Sequence, residues 1–198
     1  MEIRKSTLED LTRIMEIYAY AREFMARTGN PNQWGPRKWP PESLIREDIA
    51  AGKNYVLEWE ADSATSEEVA FEREKSSERN PVIADHTGSK RIAAVFFYNV
   101  GDDPTYDVIE DGEWIGRSPY GVVHRIATDG SVRGAGKYCI NWCFEQCGHL
   151  RIDTHPDNKV MQKTLRTLGF TYCGIIHVYE DNDPRLAFEK VTAKAEEK

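Results

Sequence analysis

The chain has 198 residues, 40% hydrophobic and 30% charged, which suits one domain with a sizeable core or one domain carrying an insertion. Its formal charge of −7 argues against general nucleic-acid binding, which needs a basic face. No apolar run approaches the length of a membrane span, and the start, MEIRKSTLED, has no long apolar h-region, so no membrane partner is expected and the expected location is cytoplasmic.

Glu2 to Lys5 reads as a first strand. A helix follows from Ser6 or Thr7, because Ser6-x-x-Glu9 and Thr7-x-x-Asp10 both fit a capping box. Leu8, Leu11, Ile14, Met15, Tyr18 and Met25 keep helical spacing, and Gly29 is the stop. Asn30 to Pro40 is a loop whose Trp34 and Trp39 are either packing anchors or a substrate wall. Pro41 suits the first turn of a second helix, Glu42 to Ala51, stopped by Gly52. Asn54 to Trp59 is a strand. The stretch from Glu60 to Asn80 is polar, rich in Glu and Ser, and cannot hold a core by itself. It reads as an insertion, either a solvated helix or a mobile loop, with a partner site as the minor reading of its charge run.

Val82 to Ala84 can pair with the apolar and aromatic strand Arg91 to Asn99, around His86-Thr87-Gly88. Gly101 to Pro119 is a long connection, of the kind that often binds ligands, and Glu110, Asp111 and Glu113 in it could attract a cationic acceptor, although an acidic loop is more often just solvated. Val122 to Thr128 is an apolar strand, followed by the turn Asp129-Gly130-Ser131. Then comes Arg133-Gly134-Ala135-Gly136-Lys137, running into a helix, Lys137 to Cys147, that Gly148 ends. Leu150 to Thr154 is a strand. His155-Pro156-Asp157-Asn158 turns into a helix with Val160, Met161, Leu165 and Leu168 inside and Gly169 at its end. Strands Thr171 to Tyr179 and Leu186 to Val191 flank the turn Asp181 to Pro184. The order is that of an α+β chain with a mixed sheet flanked by helices, one domain over 1–191 and a frayed tail at 192–198.

Cys139, Cys143 and Cys147 fall at i, i+4 and i+8, one stripe of a helix, without the C-x-x-C pair that zinc sites use. They read as small core residues, and no metal is expected.

A strand feeding a glycine-rich turn that opens a helix is an anion site. The first helical N–H groups lack intrahelical partners, and the helix dipole favours negative charge there. Arg133 and Lys137 add positive charge. A P-loop is excluded, because five residues rather than four separate Gly130 from Gly136 and Tyr138 stands where a Ser or Thr must hold magnesium. A dinucleotide fingerprint is matched only at Gly134 and Gly136, with Cys139 in the third glycine position.

The third option is acyl-CoA. Ile126-Ala127-Thr128, a turn, and Arg133-Gly134-Ala135-Gly136 resemble the acyl-CoA signature of the GNAT superfamily of N-acetyltransferases, Arg/Gln-x-x-Gly-x-Gly/Ala after a strand. Asn158, with Gly169-Phe170 eleven and twelve residues later, resembles that family's second signature. The element order from Met1 to Val191 fits as well.

The resemblance implies a mostly antiparallel twisted sheet of about seven strands whose central strands, Val122 to Thr128 and Leu150 to Thr154, splay apart. It implies acetyl-CoA as co-substrate, with the pantetheine arm in that gap against Ile126, Ala127 and Thr128. The diphosphate would sit on the N–H groups of Arg133, Gly134, Ala135, Gly136, Lys137 and Tyr138, and Asn158 would touch the arm. It further implies transfer to a small-molecule or peptide amine, and it admits a homodimer. Two positions depart from the family pattern. Tyr138 replaces the last small residue of the first signature, and Leu165 stands where many members carry the tyrosine that protonates the leaving thiolate. Tyr138 and Tyr172 are conceivable proton donors that no spacing selects. A free amine is mostly protonated at neutral pH, so a base is needed. His124 on the central strand is the candidate, since histidine's ordinary pKa of about 6.5 suits the task; the alternative is a core histidine bonded to a neighbour. Asp153 and His155 are further residues near the gap, His155 more simply as a cap of its turn.

Overall fold

The computed structural model describes residues 1–60, 90–117, 119–178 and 182–192. The polar insertion from 61 onward, the 82–84 strand with its turn, and the tail beyond 192 lie outside the described residues. The elements are β1 (Glu2–Lys5), α1 (Leu11–Arg27), α2 (Glu42–Ala50), β2 (Asn54–Trp59), β3 (Arg91–Val100), β4 (Gly121–Thr128), α3 (Ala135–Cys147), β5 (His149–Thr154), α4 (Lys159–Thr167), β6 (Thr171–His177) and β7 (Pro184–Val191).

Helix boundaries follow their caps. The Thr7 N–H donates to the Asp10 carboxylate at 2.8 Å, and Arg4 grips the same carboxylate at 2.7 Å. That box closes a short 3₁₀ turn, Leu8–Asp10, so α1 starts at Leu11 and Leu8 stays 58% exposed despite its spacing. α3 starts at Ala135, two residues before the expected Lys137, because Gly134 takes the left-handed conformation at its N-cap, with φ of 84°. At α4 the Asn158 side chain accepts the Met161 N–H at 3.0 Å. Leu165 is fully buried there, while Val160, expected inside, is exposed.

The seven strands form one sheet in the order β1-β2-β3-β4-β5-β7-β6, antiparallel except for the parallel pair β4–β5. Side-chain alternation sends Phe96, Val123, Ile152 and Phe188 to one face, where they pack with Ala135, Cys139, Ile140 and Cys143 of α3 and Leu165 of α4. Val56, Val95 and Ala127 go to the other face, under Ile14, Ile17 and Tyr18 of α1 and Ile45 of α2. Each Val, Leu, Ile or Phe among these, fully buried, contributes about 1.5–3 kcal/mol.

The second face has another half, over β5, β7 and β6, which no helix among the described residues covers. The 101–120 segment does so instead. Tyr106 and Tyr120 pack there with Val122, Ile176 and Ala187. A buried ionic cluster pins the segment down. Glu189 accepts from the Ile115 N–H, from Gly116 N–H at 3.2 Å and from Arg151 Nε at 2.8 Å, and lies 2.6 Å from His149 Nε2. The Arg151 guanidinium lies 4.1 Å from the Trp114 ring centroid and 3.9 Å from that of Tyr120. This long connection is therefore packed, with a 3₁₀ turn at Pro104–Tyr106 and a bridge from Glu110 to Ile175. Among the described residues, no helix is long and apolar enough to cross a membrane.

Candidate functional site

The parallel pair β4–β5 is joined only at Gly121↔Leu150 and Val122↔Arg151. Beyond those rungs the strands part, and residues 123–128 of β4 and 152–154 of β5 face an opening in the sheet. A bulge drives the divergence. Between Phe97 and Val95 of β3 lies one residue, but between their partners His124 and Ala127 lie two. The extra residue is Arg125, which sits at φ 52°, in the region L-residues avoid. It is held there from three sides. The Tyr18 hydroxyl donates to its carbonyl at 3.0 Å, its Nη2 donates to Asp48 at 2.7 Å, and its guanidinium lies 4.7 Å from the Phe97 ring centroid.

The opening leads into a cavity of about 740 Å³. On one side its wall is Ile126, Ala127, Thr128, Gly134, Gly136 and Lys137; across from them are Asn158, Met161 and Thr164 of α4. On the other side it is bounded by Trp34, Trp39, Asp48, Phe97, Asp103 and Arg125. His124 and Asp153 lie at the apex, each two residues past the last rung of its strand.

His124 is flanked by two carboxylates. Its Nε2 is 2.8 Å from Asp103 Oδ2, and its Nδ1 is 3.6 Å from Asp153 Oδ1. The buried Tyr106 hydroxyl donates to the same Asp153 oxygen at 2.9 Å. Burial alone would raise the Asp103 carboxyl, but the hydrogen bond and charge of His124, with the Thr105 N–H, outweigh it and bring the pKa to about 2. Asp103 is thus an ionised acceptor, and Nε2 carries the proton it accepts. In the neutral ring, Nδ1 then has the lone pair, and it points across a gap too wide for a direct hydrogen bond.

The glycine turn is braced from α1. Arg13 pairs with Asp129, whose Oδ1 accepts the Ser131 N–H at 2.9 Å, and the Tyr20 hydroxyl leans so close to Gly130 that a Cβ there would meet it at 2.7 Å. The first bond inside α3 runs from the Tyr138 N–H to Gly134 at 3.0 Å, while the Ala135 N–H already donates to Val132 at 3.2 Å. The N–H groups of Gly136 and Lys137 have no backbone acceptor among the described residues. Nothing lies within 4 Å of a Cβ built on Gly134, and only Thr128 lies that close to one on Gly136, at 3.7 Å. The start of α3 is an open, donor-lined ledge beside the cavity, suited to an anion.

Several solved structures that superpose on this chain are described as GNAT-family acetyltransferases. An acetyltransferase of the GNAT family from Streptococcus agalactiae is 25% identical over 96% of this chain and 95% of that one, with a TM-score of 0.73. The fold is that of the GNAT superfamily. A GNAT-family acetyltransferase from Listeria monocytogenes, 14% identical over 96% of this chain and 93% of that one, superposes with a TM-score of 0.59. The ribosomal-protein-S18-alanine N-acetyltransferase of Escherichia coli, 13% identical over 97% and 95%, does so at 0.53. No protein-family model and no curated protein matches the sequence.

Within this GNAT frame the residues singled out from sequence separate into groups. Ile126, Ala127, Thr128, Gly134, Gly136, Lys137, Asn158 and His124 all line the one cavity. Arg133, Ala135 and Tyr138 are not on its wall: Ala135 is buried in the core, and the exposed Tyr138 reaches back to the Met1 carbonyl at 3.4 Å. Tyr172 packs edge-on against Phe188 and is equally remote. Asn158 caps α4 and also donates to Gln33 at 3.2 Å, which ties the α1–α2 loop across the cavity. His155 caps its own turn, accepting the Asp157 N–H at 3.1 Å. Trp34 both anchors, edge-on to Tyr18 at 5.8 Å, and lines the cavity; Trp39 lines it without joining that core cluster. Glu110, Asp111 and Glu113 do not face the cavity. The carboxylates that do are Asp48, Asp103 and Asp153. Sequence reasoning missed Asp48, Asp103, Tyr106 and Arg125, whose partners lie from 21 to 77 residues away and share no local spacing. Burial raises the Cys139 thiol to about 12 and raises that of Cys143 as well, so neither is a reactive thiolate. Among the described residues no His/Cys/Asp/Glu group could hold a metal.

Proposed function

We propose that this chain is an acetyl-CoA-dependent N-acetyltransferase that moves an acetyl group to a primary amine of a small molecule or peptide by direct attack. The observation that carries the reading is the opening between β4 and β5. It joins the donor-lined start of α3 to the His124 apex and the acidic, aromatic chamber beyond it. An extended pantetheine arm can lie along the unpaired edge of β4 as an added strand. Its diphosphate would take the free N–H groups of Gly136 and Lys137, with the Lys137 charge beside them. Asn158 and Thr128 would flank the arm.

The arm then ends at the apex, beside Nδ1 of His124. A protonated amine entering from the Trp34 and Trp39 side meets the carboxylates of Asp153 and Asp103. Once it has lost its extra proton to solvent, the neutral amine can donate one N–H to Asp153 Oδ1, with Nδ1 beside it to take the proton that attack makes acidic. Attack on the thioester carbon pushes charge onto the carbonyl oxygen, where a backbone N–H at the Arg125 bulge can receive it. The neighbours of Asp103 hold it ionised, which suits the capture of a cation.

Leu165 supports a second reading. A chain on this fold with no tyrosine there could bind CoA without turnover, as a regulatory module. Mixing acetyl-CoA with a panel of alkylamines, diamines, amino acids and peptide α-amines separates the two. Continuous CoA release with at least one amine, at rates of order 1 s⁻¹ or more, is expected. CoA binding by calorimetry with no turnover on any amine would favour the binding module.

A further inference from the structure

We propose that His124, positioned by Asp103, performs both proton transfers of the reaction: it takes the amine's proton and returns the same proton to the departing thiolate, so that no separate acid is needed at the Leu165 position. The inference rests on the acetyltransferase reading above. It goes further by assigning the acid and by naming Asp103 as its positioning residue.

The geometry leaves little choice of acid. Leu165 is wholly buried in the core and does not reach the cavity. Near the apex, Asp103 is ionised and has no proton to give. The Tyr106 hydroxyl is buried and spends its proton on Asp153. Burial and the Asp153 charge push its pKa well up, away from an acid's range. Tyr20 lines the cavity at the other end, over Gly130. Among the described residues it is His124 that stands at the apex with a nitrogen facing the opening. The groups that face its ring are Asp103 and Tyr106 from the 101–120 segment, Asp153 from β5, Arg125 from β4 and Asp48 from α2. Asp48 and Arg125 neutralise each other at 2.7 Å, so the net field on the ring is that of Asp103 and Asp153. With a carboxylate beside each ring nitrogen, one ring can hold a proton between two steps.

The sequence balances. The amine nitrogen bonds to the carbonyl carbon and the C=O π pair moves to oxygen. The new ammonium N–H passes its proton to Nδ1, giving imidazolium with Nε2–H still on Asp103. The C=O re-forms, the C–S bond breaks with its pair on sulfur, and the Nδ1 proton moves to that sulfur. The products are the amide and CoA thiol, and His124 ends neutral.

The test compares wild type, His124→Gln and Asp103→Asn on two donors, acetyl-CoA and S-acetylthiophenol, with the amine that wild type uses best. Thiophenolate leaves without help, so a lost acid matters less for it. His124→Gln should lose about 10²–10³-fold in kcat with acetyl-CoA, and about 10-fold or less with the aryl thioester. Equal losses on both donors would confine His124 to the base role and overturn the inference, leaving the acetyltransferase reading intact. Asp103→Asn should lower kcat, and in the free protein the 15N NMR spectrum of the neutral His124 ring should show the proton moved from Nε2 to Nδ1, because the amide can turn its NH2 toward Nε2 where the carboxylate only accepts. A ring still protonated at Nε2 would remove Asp103 from the scheme without reference to turnover. An unchanged CoA Kd in both variants checks that the fold persists. Wild type that transfers to no amine defeats the underlying reading, a result distinct from equal losses.

Discussion

At the scale of single residues, Arg125 is the most constrained position in the site. Its backbone is held at positive φ, its Nε is buried with no partner, and its charge is opposed by Asp48, itself 8% exposed. Burial raises the Asp48 carboxyl, and Arg125 pulls it back part of the way. Removing one partner leaves the other buried and unpaired. Arg125→Met should therefore lose about 3–5 kcal/mol in urea unfolding at neutral pH, and adding Asp48→Leu should recover most of it. The deficit of the single variant has a sign in pH. With Arg125 gone, Asp48 has a folded pKa further above its unfolded one, so it destabilises above that folded value. The deficit should shrink as pH falls through it, because the folded state then holds a proton that the unfolded state does not. A deficit independent of pH would mean that the bulge, rather than the carboxylate, suffers. None of this was legible in the sequence. Arg125 and Asp48 are 77 residues apart, and a bulge is a mismatch between two strands that neither strand's pattern records.

At the scale of elements, the opening strand, glycine turn and helix were legible, because each rests on short-range physics. Apolar alternation marks β4, glycines mark the turn, and the Asn158 cap marks α4. The 101–120 segment was not legible as a covering element. Its anchors are Glu189, Arg151 and His149, charged or polar residues on strands that a sequence reading assigns to solvent, yet Glu189 is fully buried beneath four donors. Asp103 reaches His124 because that cluster holds the segment down. The start of α3 permits a cleaner separation of stability from binding. A methyl on Gly136 meets only Thr128, at 3.7 Å, an ordinary contact. It also removes a glycine from the first turn of a helix. Gly136→Ala should leave Tm at or slightly above that of wild type, while the methyl stands over the N–H groups expected to hold the diphosphate. CoA affinity by calorimetry should fall about tenfold or more, and a fall in Tm instead would mean that Gly136 serves the fold.

At the scale of the whole molecule, the sheet is a partition. The α3 and α4 helices and the glycine turn lie on one face, α1, α2 and the 101–120 segment on the other, and the gap between β4 and β5 is the passage between them. In the proposed reaction the coenzyme is gripped mainly from the first side and the amine meets it from the second. The parallel rungs at Gly121 and Val122 fix where the passage closes, and so where the two substrates meet. Such a division should appear as separable kinetic effects. Trp39→Ala, on the second face and outside the core cluster, should raise KM for the amine about tenfold while leaving the CoA Kd within twofold of wild type. Gly136→Ala should do the reverse, raising the CoA Kd with little change in KM for the amine at saturating acetyl-CoA. Substitutions far apart with no shared partner add. With both substrates well below saturation, the Trp39→Ala/Gly136→Ala double variant should therefore show the product of the two losses in rate. A double variant no worse than either single one would place both substrates against the same wall, and the partition would then have no functional meaning.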